Sequence, residues 1–128
     1  MKRLASLFAV IALLVSVSAF AADDRTYPGP QAGAPNVYKQ LFDNEKVRVS
    51  EITFKPGDKA AMHTHAYPHA VYIIEGGELT LSHPDGTSAV VQAKAGDVMW
   101  MSAETHEAVN TGKTTLRGTV TEIKEILR

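Results

Sequence analysis

The chain has no cysteine. That absence excludes disulfides, thiolate metal sites, cysteine nucleophiles and a lipid-modified N-terminal cysteine. A basic cluster is also missing. The 13 Lys plus Arg face 14 Asp plus Glu, for a net charge of −1, and no stretch is built to neutralise phosphates, so nucleic acid is not an expected partner. No glycine-rich phosphate loop, Ser-His-Asp arrangement or paired carboxylates can be found. Beyond the N-terminus no apolar run approaches the ~20 residues that span a bilayer. At 128 residues one domain is expected.

What is present is unevenly distributed. Sixteen of the first 21 residues are hydrophobic, against 41 of the remaining 107. Lys2 and Arg3 precede an apolar run from Leu4 to Val17, and Ala19-Phe20-Ala21 supplies a small-x-small cleavage site before Asp23 and Asp24. Residues 1–21 therefore read as a secretory signal peptide. The run is too short for a membrane anchor, and a periplasmic destination with no membrane attachment after cleavage is expected. Without residues 1–21 the charge becomes −3. Cysteine-free sequence suits an oxidising compartment.

Residues 22–36 form a Pro/Gly-rich arm containing Pro28, Pro30 and Pro35. Three prolines in eight positions predict an extended arm, lying along the domain or a partner, with neither helix nor regular strand pairing. From residue 37 to 128 the pattern is that of one all-β domain. Runs at Val47–Phe54, Val71–Ile74, Leu79–Ser82, Ser88–Gln92, Val98–Met101, Thr105–Asn110 and Leu116–Ile123 alternate with turn signals, the strongest being His83-Pro84-Asp85-Gly86. Such spacing predicts a sandwich or barrel. Lys55-Pro56-Gly57-Asp58 returns 39 residues later as Lys94-Ala95-Gly96-Asp97, each ahead of a strand and then histidine. Gly57 and Gly96 are expected to hold turn conformations that disfavour a side chain.

Histidine carries the chemistry. His63 and His65 stand at i and i+2, which puts both imidazoles on one face of a strand. His69 follows four residues later, and His106 comes after the second K-x-G-D turn. Four of the five histidines can meet inside a small barrel, where neutral imidazoles suit a first-row transition metal. His83 sits in the tight turn and reads as exposed and structural.

These residues carry a family resemblance. Gly57, five residues, His63-Thr64-His65, three residues, His69, six residues, Gly76 resembles the first cupin motif, with His69 in place of the usual Glu. Gly96, five residues, Ser102, then His106, three residues, Asn110 resembles the second, with Ser102 for the usual Pro, a one-residue shorter step to His106, and Glu104 where Gly is common. The resemblance covers roughly residues 45–124. It implies a double-stranded β-helix, or jelly roll, holding one divalent transition metal per chain on His63, His65, His69 and His106. Manganese or iron is favoured, with nickel, zinc or copper open. It also implies a homodimer paired through edge strands.

Four neutral ligands leave the full +2 on a divalent ion, which favours an anionic ligand or an acidified water. An octahedral ion keeps two cis positions open, whereas tetrahedral zinc would be closed and structural. Tyr72 and Trp100 are candidate walls of a substrate pocket, Met62 lies beside the ligands, and Asn110, at i+4 from His106, is a candidate supporting group for a loop or a ligand nitrogen. Glu75 and Glu104 are possible general bases, against a plain solvent-facing role. The expectation is a periplasmic oxygenase-like metal protein acting on a small anionic or oxygenated organic molecule. The alternatives are a non-catalytic metal- or small-molecule-binding module and a jelly roll with vestigial ligands.

Overall fold

The computed structural model describes residues 26–124. The signal segment 1–21, residues 22–25 of the arm and residues 125–128 lie outside the described residues. The elements are α1 (Pro30–Gly33), β1 (Tyr38–Asp43), β2 (Val47–Phe54), β3 (Lys59–His65), β4 (His69–Glu75), β5 (Gly77–Ser82), β6 (Ser88–Ala93), β7 (Val98–Met101), β8 (Glu104–Asn110) and β9 (Leu116–Ile123). They form two antiparallel sheets, one in the order β1-β2-β9-β4-β7 and one in the order β3-β8-β5-β6. The core lies between them.

Period-2 alternation explains that core. Ser50, Ile52 and Phe54 of β2, Val71 and Ile73 of β4, and Leu116 and Val120 of β9 point inward and are buried. Gly118 shares their parity, and a Cβ there would come within 2.5 Å of the Tyr72 carbonyl. The two K-x-G-D segments fold into the same turn. Gly57 has φ 84° and Gly96 φ 91°. In each turn the Asp carboxylate accepts the Lys backbone N–H at 2.8 Å, from Lys55 to Asp58 and from Lys94 to Asp97. These turns aim β3 and β7 into opposite sheets.

Two segments depart from expectation. A one-turn helix, α1, occupies part of the arm, where the proline density was read as excluding any helix. Pro30 sits at its N-terminus, where a missing N–H costs nothing and a fixed φ suits the helix. The described part of the arm is packed, with Pro30 and Ala34 buried, and the Pro28 carbonyl accepts the Thr64 N–H at 2.8 Å on the free edge of β3. β1 was not among the expected strands, because its sequence carries no alternation. It is an edge strand, exposed after its first residue.

Candidate metal centre

A one-residue bulge builds half of the site. Between Ala60 and His63 the register of β3 against β8 shifts: Ala60 pairs with Ala108 and His63 with His106. The extra residue flips the parity of β3, so Ala60, His63 and His65 all point inward and are buried. Cross-strand pairing sets His63 against His106. From the facing sheet, β4 contributes His69, paired across β9 with Glu122.

All four predicted histidines are therefore buried between the sheets, at 4% exposure or less. Ligand atoms of His63, His65 and His106 lie within 4.8 Å of one another and could hold a metal ion; His69 stands outside that tight group. Its ring stacks on His65 at a centroid distance of 4.2 Å.

Each imidazole is anchored through Nδ1. His63 Nδ1–H donates to the Ala61 carbonyl at 2.7 Å, and His69 Nδ1–H to the Tyr67 carbonyl at 3.0 Å. His106 Nδ1 meets Glu104 Oε1 at 2.7 Å, and His65 Nδ1 meets Glu122 Oε1 at 3.4 Å. Carbonyls and carboxylates accept only, so Nδ1 carries the proton and Nε2 is left as a lone-pair donor. Burial, the dominant cause, pushes the His63 and His106 pKa values down to about 4 and lowers that of His65. The His63 and His106 rings are therefore neutral near pH 7. His63 Nε2 and His65 Nε2 are 3.2 Å apart. Two inward lone pairs at that distance repel unless a cation lies between them. Donor atoms about 2.1 Å from an ion stand about 3.0 Å apart when cis in an octahedron and about 3.4 Å apart in a tetrahedron, so the observed spacing fits a metal.

Beside the histidines is a cavity of about 220 Å³, bordered by His65, His69 and His106 and walled by Ile52, Phe54, Ile73, Met99 and Met101. It is smaller than the ~300 Å³ at which drug-sized pockets begin.

The other candidates divide. Tyr72 does not line the cavity: sharing no parity with His69 and Val71, it lies on the outer face, 48% exposed. Trp100 borders the cavity yet is 64% exposed, its strand turning Met99 and Met101 inward instead. Met62 alternates with His63, away from the site, and its carbonyl lies beneath α1. Asn110 is buried, but its contacts are structural. Nδ2 donates to the Phe54 and Thr114 carbonyls, each at 2.8 Å, and Oδ1 accepts the Gly112 N–H at 2.9 Å. It ties loops together and approaches no ligand nitrogen.

Glu104 supports His106 rather than facing solvent, and its other oxygen lies 3.6 Å from His83 Nε2. His83 is thus half-buried and linked to the site through Glu104, as well as bridging its turn. Glu75 is exposed and faces Arg117. Two further residues belong to the site. Glu122 occupies the parity of Leu116, Gly118 and Val120, and an acidic residue on the apolar side of a strand is a signal the sequence contained. Burial pushes its pKa up, but His65 and Arg48 outweigh that and hold it below the usual carboxylate value. Tyr38, at the start of β1, brings its hydroxyl to 3.4 Å from His63 Nε2 and 3.3 Å from His65 Nε2. No sequence motif marked it.

Two facing antiparallel sheets enclosing inward histidines define the class: a double-stranded β-helix with a buried histidine group that could hold a metal ion. A family model described as a cupin domain matches residues 50–122, and the chain belongs to the cupin family. It is similar to the crystal structure of a cupin domain from Bordetella pertussis Tohama I, at 27% identity and a TM-score of 0.64, over 79% of this chain and 99% of that one. An RmlC-like cupin with a double-stranded β-helix fold from Methanocaldococcus jannaschii aligns at 19% identity and a TM-score of 0.56, over 88% and 93%. A polyketide cyclase from Streptomyces resistomycificus aligns at 23% identity and 0.55, over 84% and 79%. Among curated proteins no relative matches the chain.

Proposed function

We propose that the protein is a mononuclear metal cupin, exported to the periplasm, that acts on a small anionic or oxygenated organic molecule with oxygenase-like chemistry. The carrying observation is the anchoring of all four imidazoles through Nδ1, which leaves Nε2 donors inside the fold beside an apolar cavity. His63, His65 and His106 would hold one divalent transition metal, manganese or iron before nickel, zinc or copper, with His69 the further imidazole. A metal there supplies Lewis acidity and, for manganese or iron, redox chemistry toward oxygen.

The chain's own groups divide the remaining work. Glu104 and Glu122 fix ring orientation and raise imidazole basicity. Ile52, Phe54 and Ile73 exclude water, and the cavity volume limits the ligand to a small one. No protein carboxylate stands among the imidazole donors to offset the ion's charge, which favours an anionic oxygen donor beside them and an anionic group on the ligand. Export rests on the composition of residues 1–21.

A homodimer is part of the proposal. Phe42, Val49, Thr121, Ala70 and Trp100 form one row of cross-strand partners over all five strands of the larger sheet, with no charge in it, and Phe42 and Trp100 are exposed. Such a face is what a second copy would cover.

Metal analysis of protein purified with manganese, iron, nickel and zinc present should find one ion per chain, followed by oxygen uptake with an enolate, catechol or diketone. Absence of metal refutes the centre. A full complement of metal with no uptake on any of these classes refutes the oxygenase-like part.

A further inference from the structure

We propose, building on the metal-centre reading above, that the Tyr38 hydroxyl is itself a ligand of that centre, an oxygen donor beside the imidazoles of His63 and His65. Tyr38 belongs to the sheet opposite His63 and His65 and lies outside the segment matched by the family model. Its place is set from both sides. The Tyr38 N–H donates to the Ala34 carbonyl at the end of α1, at 3.0 Å, and the Val37 carbonyl accepts the Thr53 N–H at 3.1 Å. The ring stands edge-on to His63, with centroids 5.3 Å apart, which aims the hydroxyl at the Nε2 atoms.

Three atoms then form a near-equilateral triangle: His63 Nε2 to His65 Nε2 at 3.2 Å, Tyr38 Oη to His65 Nε2 at 3.3 Å, and Tyr38 Oη to His63 Nε2 at 3.4 Å. All three edges lie between the about 3.0 Å of cis octahedral donors and the about 3.4 Å of tetrahedral ones. With Nδ1 of both rings as the protonated nitrogen, the hydrogen-bond triangle is one proton short. Both Nδ1 protons are committed elsewhere, to Ala61 and Glu122. One phenol proton remains for two nitrogen acceptors, so one lone pair always faces another. The three atoms would all be satisfied by holding one cation in common, Tyr38 giving up its phenol proton to bulk water on binding it. An oxygen donor among imidazoles also favours the harder ions, iron and manganese, over copper.

The test uses the mature protein loaded anaerobically with iron(II) and oxidised with ferricyanide. Wild type should show a visible phenolate-to-iron(III) charge-transfer band and phenolate ring modes in resonance Raman. Tyr38→Phe should lose both and bind iron roughly tenfold or more weakly. Of the four tyrosines, the others are Tyr27, Tyr67 and Tyr72. Their triple replacement by Phe leaves Tyr38 alone and should keep the band, an outcome independent of whether Tyr38→Phe folds. A colourless protein with one iron(III) per chain, or a band that survives Tyr38→Phe, overturns the ligand and leaves the histidine centre standing. Failure to bind any metal overturns both.

Discussion

Glu104 offers the sharpest measure of how the centre is held. Its carboxylate is 2.7 Å from His106 Nδ1, within the range of a charge-assisted bond, and its side chain is 24% exposed. A hydrogen bond to a charged acceptor contributes about 1.5–3 kcal/mol and a neutral one about 0.5–1.5. Glu104→Gln keeps an acceptor but discards the charge, for a difference of about 1 to 1.5 kcal/mol, or roughly tenfold in metal affinity. Glu104→Ala removes the anchor, frees the ring to rotate and should cost nearer a hundredfold. Affinity is read by competition with a chromophoric chelator at constant pH, and independently by the metal-induced rise in melting temperature. A tenfold loss removes about 1.4 kcal/mol of linked stabilisation, roughly 4–8 °C for a domain of this size. The melting temperature of the metal-free protein should change much less. If Glu104→Ala binds metal as tightly as wild type, the anchoring argument is wrong and Glu104 belongs with His83 as a surface pair.

Further outcomes follow from the same geometry. His63→Ala and His106→Ala should lose most metal, while His69→Glu, outside the tight group, should retain it and bind anions more weakly; unchanged metal content in His106→Ala would remove that residue from the ligand set. Burial above all holds His63 and His106 at about 4, whereas unfolded imidazole titrates near 6.5. Below that value the unfolded chain takes up protons the folded chain refuses, so metal-free stability is full above about 6.5 and is lost as pH falls toward about 4. A urea midpoint that stays flat across that window contradicts it. Trp100 is the only tryptophan and 64% exposed. Trp100→Lys should shift sedimentation from dimer to monomer, and a wild-type protein that sediments as a monomer at high concentration refutes the pairing.

Turn chemistry and strand alternation made most of this fold legible. β2, β7 and β9 begin and end where the apolar runs do, and both K-x-G-D turns adopt the left-handed glycine that their residues require. Strand parity already held two signals that the pocket and ligand expectations passed over: counted in steps of two, Tyr72 falls on the outer face and not on a pocket wall, and Glu122 falls on the inner one. Other features escaped because they depend on partners distant in sequence. The α1 turn is held against β3 so closely that a Cβ at Gly33 would lie 3.0 Å from Pro28 Cγ and 3.1 Å from the His63 Cβ, and a side chain there would press on both. β1 has an unremarkable sequence because an edge strand is specified by its neighbour. The bulge that turns His63 inward is a matter of register between β3 and β8.

The sequence alone limited the ligand chemistry to nitrogen and oxygen: with no cysteine, the histidines at strand positions stood out as the nitrogen donors. Tertiary structure decided how those donors are arranged. Strand pairing set His63 against His106, left His69 stacked beside the tight group, placed carboxylates behind His65 and His106, and brought Tyr38 in from the opposite sheet. The physical reason is that side-chain type and alternation are local, whereas a coordination sphere is assembled from strands far apart in the chain, and its distances exist only once the two sheets have packed.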